Sequence, residues 1–303
     1  PNAYSMGLNF KEDMMNYNFK IHSNNSLTKI LSKLGKKKID KKMIELFPGN
    51  PLYGGGFNLP IELANVAFDS IYANLEDQYK VEFDKSLKEI EDNIKMPAQK
   101  TFKILDGNFF IVVNELDFEG RLGDQDISIA IKINDNKLFD KVLENIFVKV
   151  DEMFPKEAVD LFKGFKDYET IDLSPIDSDF RGFTMGRDKN FIYISSATNI
   201  ANFKEGSKGR EFYNSLPSDP TETNLYIFAN GSKIINRLPF RKKGEEKFIG
   251  DFLKSLNAGI SDLSINVEKT KIEINTNIRI ANSGGQNILE KTLSNLGDLI
   301  DDL

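Results

Sequence analysis

The sequence predicts an α+β protein: antiparallel β-hairpins and sheets with helices packed on one face, built from repeated strand–hinge–helix units. Two patterns carry this expectation. Apolar residues alternate with period two on either side of turn residues. Strands of that kind also run through Asn, Asp or Ser into segments whose apolar residues lie three or four apart.

In chain order, "YNFKIHSNNSLTKILSKLG" alternates Phe19 and Ile21, passes Ser23 to Ser26, and places Leu27, Ile30, Leu31 and Leu34 at helical spacing before Gly35. The stretch 47–60, "FPGNPLYGGGFNLP", holds three Pro and four Gly and reads as a linker or mobile loop. From 60 to 96 the period is helical, with Tyr79, Phe83, Leu87, Ile90 and Ile94 on one side and Pro97 beyond the end. "FKILDGNFFIVVNELDF" carries Asp106-Gly107-Asn108 between apolar runs, which predicts a hairpin turn there.

Residues 129–147, "IAIKINDNKLFDKVLENIF", pass from strand to helix through Asn134-Asp135-Asn136, and the helical pattern over 137–163 breaks at Pro155. Further hairpins are predicted around Gly186 to Asn190 and around Glu268-Lys269-Thr270, the latter with one buried and one wet face per strand. Strand–hinge–helix units recur at 191–203, at 225–239 through Asn230 to Ser232, and at the C-terminus through Asn282 and Ser283. That last unit sets Ile288, Leu289, Leu293, Leu296, Leu299, Ile300 and Leu303 on one helical face. Five units at irregular spacing exclude a fixed-period solenoid. Asn, Asp and Ser are favoured helix N-caps, so the repeated hinges read as scaffold. The organisation expected is an N-terminal α+β portion over 1–100 and a C-terminal one over 101–303, which could form one continuous domain.

With 40% hydrophobic residues and 24 Phe among 303, the chain can bury a sizeable core despite 28% charged residues. A net charge of -6 with mixed signs gives no footprint for nucleic acid. No cysteine is present, which removes disulfides, thiolate nucleophiles and Cys-ligated metal, and suits a bacterial cytoplasm as well as an envelope. The single histidine, His22, is expected as an exposed strand or loop residue. The apolar run "FFIVV" is too short to span a bilayer, so no transmembrane segment is expected.

Gly54-Gly55-Gly56 lacks the Gly-Lys-Ser/Thr that a phosphate loop needs. The alternative there is a loop that closes over something apolar, with Tyr53 and Phe57 as the candidate ligand-binding residues. Asp124/Asp126 and Asp177/Asp179 lack the further oxygens of a calcium loop and read as turn residues. No metal, no cofactor and no catalytic residue is expected, and nothing singles out one of the many carboxylate pairs for hydrolysis. The charge runs "RKKGEEK" at 241–247 and "KLGKKK" at 33–38 read as solvated loops.

The hairpin "DGNFFIVV", then "DISIAIKINDNKLFDKVLENI", then "FRGFTMGRDKNFIYISSATNIANFKEG", then "TNLYIFANGSKIINRLP" form an ordered series over residues 101–240. This element order resembles bacterial secreted and lipoprotein families of unknown function. The resemblance implies an envelope or secreted location, with a lipid anchor on a Cys upstream of Pro1. The function expected is non-enzymatic binding of a protein, lipid or glycan partner. A carrier of an apolar small molecule or lipid, held between sheet and helices, is the alternative, and a carboxylate-based hydrolase the third reading.

Overall fold

A computed structural model describes residues 3–11, 13–22, 37–47, 51–115, 126–153, 156–167, 169–174, 182–196, 208–238, 258–268 and 271–280, with isolated helical positions between 250 and 297. Its frame is one antiparallel sheet of eleven strands. The strands are β1 (Ala3–Phe10), β2 (Met14–His22), β3 (Tyr53–Asn58), β4 (Leu105–Glu115), β5 (Asp126–Ile133), β6 (Ile171–Asp172), β7 (Phe183–Arg187), β8 (Phe191–Ser196), β9 (Leu225–Asn230), β10 (Ile260–Glu268) and β11 (Lys271–Arg279). Their order across the sheet is β1-β2-β11-β10-β9-β3-β4-β5-β8-β7-β6. Strands from both halves of the chain therefore share one sheet. β1 and β2 join it through β11, and β3 lies between β4 and β9.

The helices are α1 (Lys41–Ile44), α2 (Ile61–Asn74), α3 (Asp77–Ile94), α4 (Ala98–Thr101), α5 (Asn136–Met153), α6 (Lys156–Lys166), α7 (Lys208–Ser215) and α8 (Gly231–Arg237). Directly paired residues of an antiparallel ladder share a face, so the register sorts every side chain onto one of two faces. Phe110, Val112, Ala130, Phe191, Tyr193, Tyr226 and Phe228 fall on one face and form the main core with Met43, Ile44 and Phe47 beside α1 and Phe212 of α7. Ile127, Ile192, Ile194 and Met185 fall on the other, packed with Phe139 and Leu143 of α5 and Phe165 of α6. The expectation of helices on one face is corrected: they flank both, because strands in mid-sheet carry apolar residues on both sides.

The predicted linker at 47–60 is corrected as well, since Tyr53–Asn58 is a central strand with Gly54, Gly55 and Gly56 buried. A Cβ on Gly54 would strike the backbone oxygen of Ile111 and sit 3.0 Å from the Phe228 ring. One on Gly56 would run into the Phe110 ring. Large side chains of neighbouring strands thus lie over β3 and leave room only for glycine. Asp106-Gly107-Asn108 is not a hairpin turn but a bulge inside β4, where the register to β5 shifts and Gly107 adopts φ 87°.

Hairpins β7–β8 and β10–β11 form where expected. α2 and α3 fill 61–94, and Asn136–Met153 and Lys156–Lys166 flank Pro155. Of the five hinges, two are described. Asp135 Oδ1 accepts from Leu138 N at 2.9 Å at the start of α5, and Asn230 Oδ1 accepts from Lys233 N at 3.2 Å in α8. Ser23–Ser26, Thr198–Asn199 and Asn282–Ser283 lie outside the described residues, as do Asp124, Asp177, Asp179 and 241–247. His22 is exposed at the end of β2.

Candidate functional site: the apolar sheet face

Apolar residues run in rows across the sheet on the face that α5 and α6 cover at its β5–β8 end. One row reads Met6, Phe19, Ile274, Ile265, Leu225, Phe57, Phe109, Ile131 and Ile192. The next runs Leu8, Tyr17, Thr276, Leu263, Ile227, Gly55, Ile111, Ile129 and Ile194. No charged residue interrupts either row. Yet this face is only partly covered: Ile227, on a central strand, is 51% exposed, and Ile278 is 39% exposed.

Tyr53 and Phe57, the two residues singled out in the sequence, sit on this face at 37% and 40% exposure. They do not close over a ligand from a loop; β3 holds them in fixed register two residues either side of Gly55. Phe57 stacks on Phe109 with ring centroids 5.3 Å apart. Gly55 opposes Ile227, and a Cβ there would meet the Tyr226 backbone oxygen and lie 3.1 Å from Ile227 Cα. The missing side chain makes room for Ile227, whose Cγ1 would lie 3.3 Å from that Cβ. Sequence reasoning missed Ile227 and the stripe Tyr4, Met6, Leu8 and Phe10, although "AYSMGLNF" alternates openly.

The opposite face holds the main apolar core over β9, β3, β4, β5 and β8, and turns polar over β10, β11 and β2. Asp262, 4% exposed, accepts from Ser218 N at 2.9 Å, Ser218 Oγ at 2.7 Å, the Tyr226 hydroxyl at 2.8 Å and Asn277 Nδ2 at 2.6 Å. Burial and the adjacent Asp262 carboxylate push the Tyr226 hydroxyl pKa far up, so it stays a proton donor in this bond. Farther along, Asn16 donates to Asn277 Oδ1 at 2.8 Å, and Asn18 donates to Glu273 at 2.8 Å and to Asn275. These polar groups satisfy one another.

A second polar cluster lies on this face at the ends of β3, β4 and β9. Asn58 Nδ2 donates to the Lys38 carbonyl at 2.8 Å, and Asn224 Nδ2 to the Lys37 carbonyl at 2.6 Å. Asn108 Oδ1 accepts from Asp40 N at 3.1 Å. The tail of the basic run 33–38 is therefore pinned rather than freely solvated. Lys37 pairs with Asp106 at 2.7 Å, and Lys38 reaches Asn224 and Asn266. Lys132 pairs with Asp40 at 2.6 Å.

Burial opposes ionisation of Asp106, but hydrogen bonds from Lys37 and Asn108 and the nearby lysine charges outweigh it and lower its pKa. Burial likewise opposes the charge on Lys132, and Asp40 and Asp106 overcome it and raise the pKa. Asp219 is lowered too: the Tyr213 hydroxyl and Thr221 donate to it and outweigh burial. Asp106, Lys132 and Asp219 are thereby held in their charged forms, whereas burial lowers the pKa of Lys38 in the same cluster against the pull of Glu268 and Glu222. A scan against protein-family models, a search of curated proteins and a search of solved structures return no match for this chain, and the resemblance to envelope families rests on element order alone.

Proposed function

We propose that the chain is a non-enzymatic binding protein that takes up an apolar ligand of the acyl-chain class along the sheet face carrying Tyr53, Phe57 and Ile227. One observation carries this reading: beside the main core on the other side of the sheet, a second, uncharged apolar face keeps Tyr53, Phe57, Ile227 and Ile278 exposed. Folding normally hides the apolar side, because each Å² of apolar surface left in water forgoes about 25 cal/mol. A retained apolar surface of this extent is a mark of binding. An extended chain suits it better than a compact molecule, since the rows run on across neighbouring strands. A secreted or envelope setting, as the element order implies, would bring such a ligand within reach.

The test is titration with cis-parinaric acid, a fluorescent fatty acid, alongside solvent extraction and mass spectrometry of the purified protein. Saturable binding is expected, and Ile227→Lys should weaken it about tenfold while melting stays in place, because a lysine stem can lie over apolar surface with its ammonium in water. Absence of saturable binding, or equal affinity in the Ile227→Lys protein, would overturn the proposal.

A further inference from the structure

The two edges of the sheet are unlike. β6 closes one side with only Ile171 and Asp172, a length that offers little to a foreign strand. β1 closes the other with eight residues, Ala3 to Phe10, all of them exposed. Natural edges are guarded by brevity, charge, proline or a covering element. β1 has none of these: "AYSMGLNF" contains no charged residue and no proline, and its outer row of backbone donors and acceptors faces no other strand among the described residues.

We infer that β1 is a self-association strand, through which two copies of this chain pair antiparallel about a two-fold axis at Gly7. The sequence of β1 favours a copy of itself over a foreign strand. A two-fold axis normal to the sheet keeps each face on the same side in both copies. Directly paired residues must share a face, so symmetric pairing sets one residue opposite its own copy. Centring on Gly7 pairs Tyr4 with Phe10 and Met6 with Leu8 of the other copy, matching every apolar side chain of β1. On the other face Ser5 meets Asn9, so no like charges confront each other. Gly7 itself has nothing within 4 Å of where its Cβ would stand, which leaves the axis clear. The apolar rows then run on from one copy into the next. One strand edge with eight side chains is smaller than a standard interface of about 1,600 Å² in total, so the dimer is a weak, concentration-dependent one.

Light scattering and native mass spectrometry over micromolar to millimolar chain should show a monomer–dimer equilibrium. Gly7→Lys sets two ammonium groups face to face at the axis and should weaken association about tenfold or more. Gly7→Glu should do the same, and mixing the two variants should restore dimers as mixed pairs, an outcome misfolding cannot produce. Because the protein has no cysteine, Gly7→Cys should cross-link to a dimer on oxidation, whereas Val81→Cys, on exposed α3, should not. The inference falls if the unaltered chain stays monomeric throughout, if Gly7→Lys associates as strongly, or if the mixture fails to recover. Gly7 points away from the apolar rows, so fatty-acid binding should persist in the variants, which separates this test from that of ligand binding.

Discussion

At the scale of single residues, the glycines of β3 show why composition misleads. Gly54-Gly55-Gly56 has the appearance of a loop because glycine weakens strands by its entropy and missing side chain. What places it mid-sheet is the size of Phe110 and Phe228, which lie 54 and 172 residues from Gly56 in the chain and leave no trace in local periodicity. Gly56→Val should therefore destabilise by about 1–3 kcal/mol or more through overpacking, read as a fall in the urea midpoint. A loop glycine would tolerate the change, so an unaltered midpoint would contradict the placement. Glu273 makes a separate prediction. Burial raises its pKa, but hydrogen bonds from Lys271, Asn18 and Lys20 outweigh that and lower it from the usual 4.5 to about 2. A depressed carboxyl stabilises the fold above its unfolded value, so this contribution is complete above pH 4.5 and disappears as the pH falls toward 2. Glu273→Gln should flatten the stability profile in that window, by about 1 kcal/mol or less given partial solvent screening.

Among elements, what was legible depended on how local the cause is. The helices at 61–94 and around Pro155 were readable because their periodicity and breakers lie within one stretch of chain. The β7–β8 hairpin was readable because Asp188 supplies its own turn, accepting from Asn190 N and Phe191 N at 2.6 and 2.8 Å. The bulge at Gly107 was not, since turn and bulge share glycine chemistry and only pairing with β5 separates them. Asp135 is a cap by the same local logic: Asp135→Ala should cost about 1 kcal/mol and leave ligand binding unchanged, as measured by thermal melting and fatty-acid titration. Arg187 could not be recognised from sequence. It is buried, donates to Asp140 at 2.8 Å and to the Phe165 and Lys166 carbonyls at 3.0 and 2.6 Å, and lies over the Phe139 and Phe165 rings. It ties α5 and α6 to β7, so Arg187→Ala should cost about 2–3 kcal/mol, through the packing its buried stem loses and the two carbonyls that lose their donor. Far-UV dichroism with denaturant would show it, and a loss under 1 kcal/mol would mean the helices are held by packing alone.

For the whole molecule, alternation in β10 and β11 predicted one buried and one wet face, but neither strand divides so: Asp262, Ser264 and Asn277 are buried on one side and Val267 on the other. Distant segments bring Ser218 and Phe212 against the polar side, while the apolar side keeps exposed positions such as Ile278. Nor did local pattern show that the first hundred residues and the rest contribute to the same sheet. β3 fills the place between β4 and β9, and Ile39, Met43, Ile44 and Phe47 enter the core with Phe110, Phe212 and Phe228. A fragment beginning at residue 101 would lose both. It would bare the edges of β4 and β9 in mid-sheet, the edge of β11 where β2 pairs, and the apolar side chains beneath α1, each fully buried residue of this kind contributing about 1.5–3 kcal/mol. The fragment should therefore show no cooperative melting and poor amide dispersion by NMR, while the intact chain melts cooperatively. A fragment that melts cooperatively on its own would mean that β4 and β9 can pair or shield their edges without β3, and that the central position of the glycine strand is dispensable to the fold.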